Sequence, residues 1–389
     1  MDSDRRANLL SVYRDGLLLD TLPFWTKNAP DDRHEGFYTA LARDGSVVDT
    51  DKSVWHQGRF GWLYGTLYSE VEPRDEWLRL SRSAVDFLEK FCFDEDGRMF
   101  FIVTEDGRPL RKRRYAYSEA FACIAYAAYG RSANSDEHKR KAVDLFHQFR
   151  RLVTTEGLLP PKVIPETRRM KGLGPLMITI NLAQVLRTSC QFQDADAIID
   201  ECIAEIRRDF IKPELRAVME SVAPDGSILD HFDGRTLNPG HAIEAAWFIL
   251  HEAMIRNGEQ HLQTGLQMLD WMWERGWDRE FGGLHYFVDL HGGEVQEYWH
   301  DMKFWWPHNE AIIAALLAHR LTGDARYEEM HSQVHDWAYA HFPDPEHGDW
   351  FGYLHRDGTV SSTLKGNMWK GAFHLGRMQL YCWKLLEAW

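Results

Sequence analysis

Four residues of types that move protons stand at the fronts of apolar helical segments far apart in the chain. They are Arg59 in VWHQGRFGWLYGTLY, His241 in NPGHAIEAAWF, Glu310 in WWPHNEAIIAALLAHRL and His374 in FHLGRMQLYCWKLL. Histidine titrates near neutrality, so two of them make an acid/base pair at cellular pH. Arginine is a fixed cation suited to a developing oxyanion. Together they suit removal of a proton next to a carbonyl. An open-chain aldose carries such a proton at C2, and its removal gives an enediolate. Reprotonation at C2 from the other face is epimerisation; reprotonation at C1 is aldose–ketose isomerisation.

Other readings compete for the same residues. A lone histidine in a first helical turn is ordinarily a satisfied core or surface residue. Arg59 could pair with a carboxylate, and Glu310 could favour its own helix N-terminus. A metal would need closer ligand patterns: His241 and Glu244 are three apart and His308 and Glu310 two apart, neither forms H-E-x-x-H, and no cysteine pair occurs, so no metal is expected. A glycoside hydrolase would need two carboxylates, which Glu119, Glu244 and Glu310 could supply. It leaves both histidines unexplained.

The elements that must position these residues recur. Arg59, Glu119, Met177, His241, Glu310 and His374 mark the fronts of six apolar helices, at gaps of 60, 58, 64, 69 and 64 residues. Turn-rich stretches with alternating aromatics precede most of them, such as CFDEDGRMFFIVTEDGRPL and HGDWFGYLHRDGTVSSTLKG, and read as short hairpins. The stretch before LMITINLAQVLR has no clear hairpin. Amphipathic helices such as WLRLSRSAVDFLEKF alternate with the apolar ones. A fixed period means a repeat architecture. Six pairs of one inner and one outer helix predict an all-α fold, an (α/α)6 barrel with short β-hairpin loops at the active-site mouth. It occupies residues 1–389 as one domain. Ser53 and Asn238 are expected N-caps, and Pro239 and Pro307 sit at first helical positions. All six fronts then gather at one mouth, where sequence-distant residues converge.

Composition narrows the class. The net charge of -14 leaves no footprint for nucleic acid. The basic run at 111–114 reads as a solvated loop. The five cysteines are odd in number and form no C-x-x-C, which fits free buried thiols in a reducing compartment. The N-terminus lacks an uninterrupted apolar core, and no run approaches the roughly 20 apolar residues of a membrane span. A cytoplasmic protein without membrane partners is expected. The 16 Trp, 14 Tyr and 21 Phe pack cores, and their faces also stack on sugar rings.

The motifs VWHQGR (54–59), NPGHAIEAAWF (238–248), MKFWWPHNEAIIA (302–314), GDWFGYLHRDG (348–358) and LKGNMWKGAFHLGRM (364–378) resemble the N-acylglucosamine 2-epimerases, a family that includes the renin-binding proteins and is related to the cellobiose 2-epimerases. The resemblance runs from about residue 35 to the C-terminus and implies the same barrel. It makes His374 and His241 the catalytic acid/base pair, with Arg59 and Glu310 as essential polar partners. Glu244, Trp305, Trp306 and His308 match substrate-site positions, and Lys303, Tyr117 and Asn181 join that set. The implied activity needs no cofactor. Nucleotide activation, found in some members, is in doubt because the loop 158–177 lacks the Gly-rich start. The implied substrate is an N-acylglucosamine or N-acylmannosamine. Mannose/glucose 2-epimerase, mannose isomerase and cellobiose 2-epimerase are the alternatives, and a homodimer is plausible. A partner-binding protein on the same barrel would not need both histidines, Arg59 and Glu310 together at one mouth.

Overall fold

The computed structural model describes residues 1–113, 115–161 and 163–389. In chain order its α-helices are α1 (Ser3–Asp15), α2 (Leu22–Asn28), α3 (Val54–Glu70), α4 (Asp75–Phe91), α5 (Tyr117–Ser132), α6 (Asp136–Thr154), α7 (Pro165–Arg168), α8 (Gly174–Cys190), α9 (Ala195–Glu205), α10 (Phe232–Arg235), α11 (Pro239–Arg256), α12 (Glu259–Gly276), α13 (Trp305–Thr322), α14 (Ala325–His341) and α15 (Phe373–Glu387). Helices α3, α5, α8, α11, α13 and α15 each pack on the next, and α15 packs back on α3. That closed inner ring is wrapped by α4, α6, α9, α12 and α14, with α1 lying against α15 as the sixth outer helix. The fold is the (α/α)6 barrel that the repeat predicts.

Burial explains which helix goes where. In α5 every residue from Ser118 to Gly130 is buried, and in α13 every residue from Trp305 to His319. Helices apolar all round have no solvent face and must be interior. In α4 only one stripe is buried, with Trp77, Leu80, Ser81, Ala84, Val85 and Leu88 on it, as expected of an outer helix. The inner helices approach closely where side chains vanish. A Cβ on Gly58 would lie 2.5 Å from the Phe121 backbone of α5, and one on Gly61 would lie 2.9 Å from Ala125.

The hairpins do more than connect. The residues just before an inner helix pair antiparallel with the next hairpin around the ring. Lys52–Ser53 pairs with Ile102–Val103, Lys171–Gly172 with Ser221–Val222, Thr236–Leu237 with Val288–Asp289, and Lys303–Phe304 with Tyr353–Leu354. Leu41 bridges to Gly366 and so joins the first hairpin to the last. Among the described residues these pairings stitch the mouth at every junction except that between the fronts of α5 and α8. Among the described residues the stretch before α8 holds the short helix α7 and the strand Lys171–Gly172, and no hairpin of its own.

An ion pair clasps four of the repeats, buried in three of them and half-exposed at Asp94–Lys112. An aspartate just past the outer helix meets a lysine from the end of the following hairpin: Asp31–Lys52, Asp94–Lys112, Asp278–Lys303 and Asp344–Lys365, at 2.7, 2.8, 2.9 and 3.1 Å. Burial works against each charged aspartate, but lysine and turn N–H groups outweigh it at Asp31, holding that carboxyl below its usual range.

Helix starts differ slightly from expectation. Asn238 caps α11 as predicted, its Oδ1 accepting the His241 N–H at 3.1 Å. Ser53 is the N-cap of α3, but its side chain makes no capping hydrogen bond. Pro307 is the third residue of α13, not the first. A first-turn N–H has no intrahelical acceptor, so proline is tolerated there too.

Candidate active site

The four residues come from four inner helices, α3, α11, α13 and α15, and face one another at the mouth of the ring. Glu310, in the second turn of α13, is fully buried. Its Oε1 accepts from His374 Nδ1 at 2.7 Å and from Arg377 at 2.7 Å, and its Oε2 accepts from the Trp247 indole N–H at 2.7 Å. Arg377, one helical turn beyond His374 on α15, also donates to Glu244 Oε1 of α11. One guanidinium thus ties two carboxylates from neighbouring helices.

His241 Nδ1 meets Glu220 Oε1 at 3.0 Å. The Trp306 ring lies between the histidines, its centroid 5.1 Å from His241 and 5.8 Å from His374. That contact depends on Gly240, because a Cβ there would lie 2.7 Å from the Trp306 ring. Arg59 lies over the Phe121 ring at 4.2 Å and donates to the Trp369 carbonyl at 3.2 Å. Among the described residues it makes no ion pair. The KGNMWKGAFH stretch holds His374 in place from behind. Lys370 bonds Asp349 at 2.6 Å, and Gly371 lets the backbone pass the His56 ring, which a Cβ would meet at 2.5 Å.

Burial sets the electrostatics. It pushes the His374 imidazole far below its ordinary value, and Arg377 and Arg59 push the same way against Glu244. It raises Glu310, which Arg377 and Trp247 oppose. It lowers Arg59 to about 9, with Arg377 adding to the effect, which leaves that guanidinium charged at neutral pH. The buried set therefore balances: Arg59 and Arg377 against Glu244 and Glu310, with His374 neutral. A neutral His374 donating through Nδ1 keeps a lone pair on Nε2.

The other predicted residues divide. Trp305 is buried edge-on to His374, centroid to centroid 6.0 Å. Tyr117 stands at the start of α5, near enough to Glu220 to feel its charge. Asn181 is half-buried on α8. His308 and Lys303 are not part of the cluster. His308 Nε2 accepts the Leu284 N–H at 2.9 Å, its Nδ1 meets the Phe304 carbonyl at 2.7 Å, and its ring stacks on Trp337 of α14. Two residues apart on a helix point about 200° apart, so an inward Glu310 sends His308 outward. Lys303 is the clasp to Asp278. Glu119 is spent on Arg98 and the Met99 N–H.

Of the basic run, Lys112 pairs with Asp94 and Asp96, while Arg113 lies over Phe101. Residue 114 lies outside the described residues, as does 162 in the loop 158–177. Glu244, Glu310 and His374 bring ligand-type atoms within 4.8 Å of one another, a grouping that resembles a cation site. The Arg377 guanidinium already lies between the two carboxylates and supplies the positive charge a metal would bring.

Three residues of the cluster were not foreseen: Arg377, Trp247 and Glu220. The first two carry a sequence signal, each one turn past a predicted residue, His374 and Glu244. Glu220 carries none. It reaches His241 through the strand pairing of Lys171–Gly172 with Ser221–Val222.

Two imidazoles flanking one mouth, each backed by a glutamate and faced by a half-buried guanidinium, on a ring of helix pairs, are the equipment of a carbohydrate isomerase. The comparisons with known proteins agree. The family model described as N-acylglucosamine 2-epimerase (GlcNAc 2-epimerase) matches residues 36–375. The N-acylglucosamine 2-epimerase of Bos taurus is 34% identical over 99% of this chain and 93% of its own. That of Rattus norvegicus is 33% identical over 100% and 94%. The cellobiose 2-epimerase structure from Bacillus thermoamylovorans superposes with a TM-score of 0.85 at 19% identity, covering 98% of this chain and 100% of that one. The chain belongs to the N-acylglucosamine 2-epimerase family and is a sugar 2-epimerase. No helix among the described residues is long and apolar enough to cross a membrane.

Proposed function

We propose that the enzyme interconverts an N-acylglucosamine and its C2 epimer, an N-acylmannosamine, by passing the C2 proton of the open-chain sugar between His374 and His241. The observation that carries this is the pairing of each Nδ1 with a glutamate oxygen, at 2.7 Å and 3.0 Å. Nδ1 is thereby engaged on each ring, and Nε2 is the atom that meets the substrate.

In one direction the Nε2 of one imidazole takes the C2 proton. The C–H electron pair forms the C1=C2 bond, and the C1 carbonyl oxygen takes the negative charge beside Arg59. The other imidazolium returns a proton to C2 from the opposite face. The second direction exchanges the two roles. Glu310 orients His374, while Glu244 and Arg377 hold the charge balance. Trp305, Trp306, Tyr117 and Asn181 line the sugar. These side chains suffice, so no cofactor enters the step, and no nucleotide activator is proposed.

The choice of substrate rests on relatives of that name at 31–34% identity over nearly the whole chain, against 24% for cellobiose 2-epimerases. A hexose epimerase or mannose isomerase on the same residues is the second reading, since the same intermediate can be reprotonated at C1. The five free cysteines, four of them buried, support a cytoplasmic setting. We take the enzyme as a homodimer, which light scattering at defined concentration tests.

The decisive experiment is incubation with N-acetylmannosamine, mannose and cellobiose in heavy water, followed by NMR. The N-acyl epimer with deuterium at C2 is expected. Product without C2 deuterium would sink the mechanism, and turnover of mannose or cellobiose alone would sink the substrate assignment.

A further inference from the structure

We propose that Glu220 is the positioning residue for His241: it fixes the ring with Nε2 toward the sugar and keeps it as the imidazolium, so that the resting enzyme holds one neutral histidine and one charged one. The inference rests on the epimerase reading above. It deepens that reading by assigning which histidine starts as acid and which as base.

The two histidine–glutamate pairs share one atom pattern, Nδ1 to Oε1, but their glutamates differ. Glu310 spends its charge on Arg377 and on the Trp247 N–H as well as on His374. Glu220 has no arginine or lysine within ion-pair distance among the described residues, and its Oε2 is buried with no hydrogen-bond partner. A carboxylate already neutralised by a guanidinium does little to stabilise an imidazolium; an unshared one does much.

The charge count points the same way. Arg59, Arg377, Glu244 and Glu310 sum to zero without either histidine. Among the described residues of this cluster, adding Glu220 leaves one negative charge, and a protonated His241 cancels it. Exposure agrees, for the His241 side chain is 32% exposed against 11% for His374, so water helps to carry the charge. Around this pair stand Glu244 one turn further along α11, Tyr117 from α5, Tyr286 from the segment after α12, and His374 from α15. The tyrosines are held neutral by burial first and by Glu220 second. Glu244 is tied to Arg377. Among the described carboxylates, Glu220 is therefore the one that bonds His241.

The sequence signal is indirect but fixed by the rim. Glu220 O accepts the Leu173 N–H at 3.0 Å, which anchors the residue to the start of α8. The strand that stitches two repeats together thus also delivers the carboxylate.

The test is Glu220→Gln, which keeps the shape and removes the charge, with Glu220→Asp as the conservative partner. Losing the carboxylate should lower the His241 pKa by about one unit, and the alkaline limb of the kcat profile should move to lower pH by the same amount. At pH 8 kcat should then fall about tenfold with KM little changed, and Glu220→Asp should recover part of it. NMR titration of the His241 ring reads the same shift without any turnover. An unmoved His241 titration, or a kcat loss equal at every pH, would overturn the proposal. If the wild-type protein places no deuterium at C2 of any sugar, the epimerase reading fails, and the ring titration still decides Glu220. If wild type exchanges and Glu220→Gln matches it at every pH, the assignment of Glu220 alone fails.

Discussion

Two histidines at the fronts of inner helices do opposite jobs. His308 sits in WWPHNE and His374 in KGAFHL, each in the first turn of an inner helix. Both are buried. His308 has both ring nitrogens on backbone groups, whereas His374 has one on Glu310 and one left for chemistry. We predict that His374→Ala abolishes turnover at nearly wild-type Tm. His308→Ala should instead lose about 3 kcal/mol or more of stability through the unpaired Leu284 N–H and the hole beside Trp337, with residual activity per folded molecule. Equal melting temperatures for the two variants would count against this division. Arg377→Met carries a different expectation. It strands Glu244 and Glu310 as buried carboxylates, so stability should fall by about 3–5 kcal/mol in denaturant titrations, along with the activity. A stable variant would mean that the two glutamates are not both ionised.

At the scale of the element, the ring was legible because each inner helix is apolar on every side and returns at a nearly constant interval. The N-terminal partner was not, because α1 is polar enough to read as an isolated helix until α15 is seen against it. Arg377 was legible in principle, one turn after His374. Glu220 was not, because it lies beyond strand pairing between repeats, which no local pattern encodes. His308 was misplaced because a motif shared with relatives names residues without the helical phase that turns them in or out.

The Asp–Lys clasp was overlooked for a related reason. Its partners stand 18 to 25 residues apart, a separation that neither helix nor strand periodicity registers. It is nevertheless an element with a measurable role. Lys52 is fully buried and bonds Asp31 together with the Glu35 and Glu105 carbonyls. We predict that Lys52→Met costs about 3 kcal/mol or more, because it leaves Asp31 buried and short of its cation. Proteolysis should then open the first hairpin before the barrel unfolds. A variant as stable as wild type would reduce the clasp to a by-product of packing.

On the scale of the whole molecule, the interior is rich in histidines that must stay neutral. Burial holds His56 and His308 near a pKa of about 3, and His251 and His335 near about 4. Each such ring is unprotonated in the folded chain and takes up a proton on unfolding below its ordinary value near 6.5. The unfolded state therefore binds more protons there, and stability rises with pH. What these four rings contribute is fully present above about pH 6.5 and is lost as pH falls toward 4, at about 1.4 kcal/mol per pH unit for each ring. The clasp aspartates act in a lower window. Against the pull of burial, Arg356 and then Lys303 hold Asp278, and Arg43 and then Lys365 hold Asp344, well below the usual carboxylate range, so their contribution fades only below about pH 4. The two windows are separable. Guanidinium midpoints measured at pH 7.5, 6, 5 and 4 should already fall steeply by pH 5, before any carboxylate clasp has titrated. A flat midpoint down to pH 4.5 would mean that the buried rings accept protons in the folded chain, which the packing around His56 and His308 forbids.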